Sequence, residues 1–292
     1  MRKIGKLIIF MIKFTAFAAL VNYHIKLLVN KLKGDKDEDE HIYDYRFGEV
    51  NYIKRGSGPA MLLLHGPVMN ACKSEWEPLI SCLEKDYTVY APDLPGFGRS
   101  EHPEISYSSY LYASFINDFI DDVIEEPAIV MGSGKSADFS VCAAKLAPEN
   151  FKKLVLISPQ GFSEVAQKCP IRAVVKKVIA VPIYGTFVFN MLWLGLFARD
   201  FIRNLPDKCT PNTMQSAKLA MAAIFNGDMD LDVRDEAKKT GIPTFIALGN
   251  TDPISGISSD IETRLFCDAA GAPHLGDDSR AFVDEVNMWL KR

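Results

Sequence analysis

Ile129-Val130-Met131-Gly132-Ser133-Gly134-Lys135-Ser136 decides how this chain is read. A short apolar run ends abruptly in Gly and Ser, and a helix-compatible stretch from Ala137 to Ala147 follows. Strand, tight turn and helix in that order form the geometry that lifts a nucleophile above a parallel sheet. The turn should read Gly-x-nucleophile-x-Gly, with glycine wherever a side chain would clash. With Gly132 as the first glycine, the nucleophile position holds Gly134, which carries no attacking atom.

Outward from this stretch, Met61 to Leu64 and Leu154 to Ser158 are unbroken apolar runs of the kind buried on both faces of a parallel sheet. Tyr87 to Tyr90, Pro243 to Leu248 and Thr263 to Cys267 are further strands. Ile42 to Phe47 and Val50 to Arg55, with Gly48 between them, read as a hairpin. Trp76, Leu79, Ile80 and Leu83 recur at helical spacing, as do Leu111, Phe115, Ile116, Phe119, Ile120 and Val123, and the closing Phe282, Val286, Trp289 and Leu290. Alternating strands and helices specify an α/β fold with a mainly parallel sheet. Pro159 to Gly241 breaks the alternation with helical, apolar sequence, and Val178 to Ala198 carries no charge. Pro182, Gly185, Asn190 and Gly195 interrupt it, so we read a helical lid at about residues 160–241 rather than a second membrane span.

The chain has 292 residues and a formal net charge of -4. That is room for one large domain with an insertion, and it argues against nucleic acid as a partner. Six cysteines without a CxxC pair offer no zinc site and no compact disulfide framework, and a reducing compartment fits them. Gly132 to Ser136 also invites a phosphate-loop reading, but that loop needs a glycine where Ile129 stands. No cofactor is expected.

Residues 1–33 form a separate opening. Leu7 to Val21 is apolar except for Lys13 and Thr15, with basic residues on both flanks. A spanning anchor, an interfacial helix and a signal peptide all compete for this segment. Arg2, Lys6, Lys13, His24 and Lys31 fall within roughly 40° on a helical wheel, as an interfacial helix requires. Membrane attachment is the expectation, with the domain on the cytoplasmic side. Residues 34–41 are an acidic linker, and 42–292 the folded domain.

Four landmarks resemble the α/β-hydrolase superfamily, over roughly Tyr43 to the C-terminus. Leu64-His65-Gly66 is similar to its HG motif, and Asp93-Leu94-Pro95-Gly96-Phe97-Gly98-Arg99-Ser100 to its D-x-x-G-x-G-x-S turn. Gly249-Asn250-Thr251-Asp252 is similar to the G-x-x-D before the family's acid, and Gly132 to the first elbow glycine. The resemblance implies a Ser–Asp–His triad in that chain order. It puts Asp252 at the acid, Gly134 at the nucleophile and Ala272 at the base, so the last two positions are vacant. It puts Pro67 and Lys135 in the oxyanion region, and makes Asp93 part of a structural turn.

Two readings follow. In the first, this is a membrane-attached, non-catalytic or impaired hydrolase-fold protein that binds a small hydrophobic ligand. In the second, it is an esterase or lipase-like serine hydrolase with a displaced Ser136–Asp252–His274 triad. The mismatch favours the first. It also predicts bland roles: Ser136 in the first turn of a helix, His274 in a surface loop and Asp252 as a turn former or helix cap.

Overall fold

A computed structural model describes residues 2–32, 39–69, 71–162, 170–203, 217–234, 236–252, 257, 261–266, 273–275 and 279–292. An eight-stranded sheet runs in the order β1-β2-β4-β3-β5-β6-β7-β8. The hairpin β1 (Glu40–Tyr45) and β2 (Gly48–Gly56) is antiparallel, and β2 runs antiparallel to β4 (Thr88–Pro92). The pairings among β3 (Ala60–Leu64), β4, β5 (Ala128–Ser133), β6 (Phe151–Ile157), β7 (Thr244–Gly249) and β8 (Glu262–Phe266) are parallel. The expected α/β class and strand–helix alternation hold. β1 starts at Glu40, inside the segment read as linker, because the Glu40 carboxylate is buried against Lys73 at 2.9 Å.

The apolar strands are continuous because both faces are covered. Leu62, Leu64, Val130, Leu154 and Leu156 pack into one core with α3 (Ser109–Phe119) and α4 (Lys135–Leu146). Their sequence neighbours Met61, Leu63, Ile129, Met131, Val155 and Ile157 pack into the other, with α2 (Glu77–Leu83) and α9 (Ser279–Leu290). A period of two therefore feeds two cores from one sheet.

Between β6 and β7 lie α5 (Pro170–Ala180), α6 (Tyr184–Arg203), α7 (Lys218–Asn226) and α8 (Glu236–Lys239). The uncharged run is broken between α5 and α6, which meet at 110°. Pro182 lacks the N–H that would continue the helix. The next residue, Ile183, turns left-handed at φ +60°, which is rare for a β-branched side chain.

The N-terminal helix α1 (Arg2–Leu32) contains an apolar stretch, Ile4–Val29, with the length and composition of a membrane anchor or a signal sequence. The acidic segment after it suggested an independent unit, yet α1 lies against α6. Ile25 and Val29 bury Trp193, Phe14 stacks on Tyr184 at 5.9 Å, and Phe17 meets the edge of Phe187. Asn22 Nδ2 donates to the Ile183 carbonyl at 2.9 Å and Asn190 Nδ2 donates to Asn22 Oδ1 at 2.9 Å.

Candidate functional site

The chain turns sharply where β5 ends and α4 begins. Gly134 stands at the vertex with φ +56° and ψ -124°, and its N–H donates to the Ile157 carbonyl of the neighbouring strand at 2.9 Å. Gly132 is required by close approach, since a Cβ there would lie 2.7–2.8 Å from the backbone of Ser136 and Ala137. Gly134 is different. A Cβ there would meet nothing nearer than Gln160 Nε2 at 3.8 Å, so the vertex has space for a side chain and holds none.

Ser136 is fully buried in the first turn of α4, and its Oγ donates to the His65 carbonyl at 2.6 Å. It fastens the helix to the end of β3. Lys135 is held sideways by an ion pair with Asp230. Pro67 follows the HG pair and has no N–H to offer an oxyanion. The Gly66 N–H is occupied, donating to Glu75 Oε2 at 3.1 Å.

His274 is buried, not in a surface loop. Its Nε2 lies 2.7 Å from Glu75 Oε1, and its ring stacks on Trp76 with centroids 4.8 Å apart. Nδ1 has no partner among the described residues. Burial pushes the Glu75 carboxyl up, but the hydrogen bond and charge of His274, with the Ser133 hydroxyl, outweigh it and hold the group below the usual carboxylate range. Asp252 closes the turn after β7: Oδ2 accepts from the Gly249 N–H at 2.7 Å, and its own N–H donates to the Gly249 carbonyl at 3.1 Å. Ser136, His274 and Asp252 are thus each engaged with a different partner. Ala272 lies outside the described residues.

Behind the vertex, Asp138 is buried with Oδ2 accepting from the Gly161 N–H at 2.9 Å and Oδ1 without a partner among the described residues. Burial pushes this carboxyl up to about 7, against the opposing pull of the Gly161 bond and the Lys135 charge. Sequence reading missed the Glu75–His274 pair. The available signal was an acidic residue beside Trp76, in an otherwise apolar helical stripe. A cleft of about 130 Å³ opens under α6, between Phe189, Thr186, Pro103 and Lys218.

The turns beside this site are held by buried hydrogen bonds. His65 is buried, with Nε2 accepting from the Leu94 N–H at 3.0 Å, which assigns its proton to Nδ1 next to the Gly66 carbonyl. Asp93 accepts from the Lys73 N–H at 2.6 Å, the Arg99 N–H at 2.9 Å and Lys73 Nζ at 3.1 Å.

Comparison with known proteins follows this division. Residues 59–173 match the α/β hydrolase fold family. A pimeloyl-[acyl-carrier protein] methyl ester esterase from Pseudoalteromonas atlantica is 33% identical over 268 residues, covering 81% of this chain and 96% of that protein. Matches to several other curated relatives are local and span only 31–38% of their length. Among solved structures, a hydrolase from Pseudomonas aeruginosa superposes with TM-score 0.70 at 16% identity, covering 88% of this chain and 100% of that one. A membrane phospholipase A superposes with TM-score 0.62 at 19% identity, over 100% and 98% of the two chains. The chain belongs to the α/β-hydrolase fold family.

Proposed function

We propose that this protein is a membrane-attached binding member of the family, holding a small hydrophobic or ester-bearing ligand without serine-based turnover. The observation that carries the proposal is Gly134: the elbow has its backbone shape, its first glycine and open space at the vertex, but no nucleophile. An acyl-transfer mechanism needs a nucleophile, a base within reach of it and a pair of donors for the oxyanion. Pro67 cannot donate at the second oxyanion position. The separate engagements of Ser136, His274 and Asp252 support this reading over a displaced triad. What remains at the vertex is the N-terminus of α4, whose Lys135 N–H could polarise a bound carbonyl.

Attachment through α1 is supported by its apolar, exposed surface from Ile4 to Ile12. A protein named as a membrane phospholipase A is among those that share the fold, which is in keeping with this reading. Cys72, Cys82 and Cys142 are free thiols, in keeping with a cytoplasmic domain. The helical insertion would then serve as the lid over the ligand, its buried Phe189 lining the cleft beside Pro103 and Lys218.

Native mass spectrometry of the detergent-solubilised full-length chain, with lipid extraction, tests the binding claim. The expected result is a co-purifying or added acyl compound bound at one per chain, with no release of its alcohol on incubation. A dry protein that no fatty ester saturates contradicts the proposal.

A further inference from the structure

The contacts between α1 and α6 fix where the insertion must sit if α1 enters a membrane. A hydrocarbon core of about 30 Å takes about 20 helical residues at about 1.5 Å each. The apolar stretch Ile4–Val29 has 26 residues, so every window of that length contains Phe10 to Tyr23. That interval holds Phe14, Thr15, Phe17 and Asn22, the residues that contact Tyr184, Phe187, the Ile183 carbonyl and Asn190. A spanning α1 therefore carries the α5–α6 elbow to hydrocarbon depth.

The elbow is built for such a medium. Val178, Val181, Ile183, Val188, Met191 and Leu192 are exposed around the bend, more apolar surface than a water-facing corner ordinarily shows. Non-helical backbone at membrane depth needs its polar groups satisfied within the protein. At the break, Tyr184 N–H donates to the Pro182 carbonyl at 2.6 Å, Gly185 N–H donates to the Val181 carbonyl at 2.9 Å, and Asn22 donates to the Ile183 carbonyl, so its three carbonyls are satisfied within the protein. Lys177 lies exposed farther back on α5, where a cation can meet anionic headgroups, while its neighbour Lys176 is paired with Asp228.

We infer that the elbow between α5 and α6 is itself immersed in the lipid bilayer, forming with α1 one composite membrane-inserted surface. The occupant of the exposed face is lipid acyl chain, and the insertion opens toward the bilayer rather than toward water. This rests on the membrane attachment proposed above, and the test separates the two.

Full-length wild-type protein is reconstituted into phosphatidylcholine–phosphatidylglycerol vesicles doped with a phosphatidylcholine that carries a diazirine on its acyl chain. After illumination, adducts are mapped by peptide mass spectrometry. Adducts on peptides spanning Val178 to Leu192 as well as on α1 are expected. Adducts on α1 alone overturn the immersed elbow and leave the anchor standing. Adducts on neither overturn both. Equal labelling of the remote exposed Tyr110 and Met288 marks indiscriminate contact and also overturns the inference.

Discussion

Two regions lie side by side at the carboxyl ends of the strands, and they have been treated differently. Around Asp93, His65, Lys73 and Ser100, each buried polar group has a partner: Ser100 Oγ donates to the Asp93 carbonyl at 2.6 Å and accepts from the Asn51 N–H at 3.0 Å. Around Gly134 the backbone turns as sharply, but the vertex carries no side chain and Pro67 has no N–H to donate. The hydrogen bonds that hold the turns are not those that run a reaction, so one set can persist without the other.

The largest expected effect comes from the intact region. Asp93→Ala leaves Lys73 buried with one fewer counter-charge and two N–H groups without their carboxylate. It should cost about 3–5 kcal/mol, read by urea unfolding. A loss under about 1 kcal/mol would mean the frame is not what holds these turns together.

Asp138 offers a pH test on the boundary between the regions. Its folded value of about 7 lies above its unfolded value, so the native state holds the extra proton. Stability should therefore fall as pH rises from about 4 to about 7, and Asp138→Asn should remove that slope. The variant is expected to be a few kcal/mol more stable than wild type near pH 8, with the difference closing only below about pH 4, by thermal melts at each pH. Parallel profiles for both proteins contradict the assignment.

Next in size is Gly132→Ala, whose methyl would press on the backbone of α4 and cost about 1–3 kcal/mol. Smaller still, Ser136→Ala loses one hydrogen bond to the His65 carbonyl and should cost about 1 kcal/mol. A Ser136→Ala variant of unchanged stability would mean that hydroxyl is not a structural clamp, which would reopen its catalytic candidacy.

How much was legible follows from the same contrast. β3, β5 and β6 were readable because burial on both faces leaves an unbroken apolar run, and the Asp93 turn because its glycines and Ser100 are local. The sharp turn with Gly134 at its vertex was readable from spacing alone. The Glu75–His274 pair was not, because residues 199 apart in sequence meet only through the fold. The docking of α1 on α6 was hidden by the acidic segment between them. Its trace was Asn22 and Asn190, polar residues in apolar helices that require a partner.

The central claim, an elbow without a nucleophile, is tested most directly by exposing the full-length protein to a fluorophosphonate and weighing it intact. The account predicts no added mass at any concentration that saturates an active serine hydrolase. An increment of one probe, mapped by peptide sequencing to Ser136 and lost in Ser136→Ala, would contradict it.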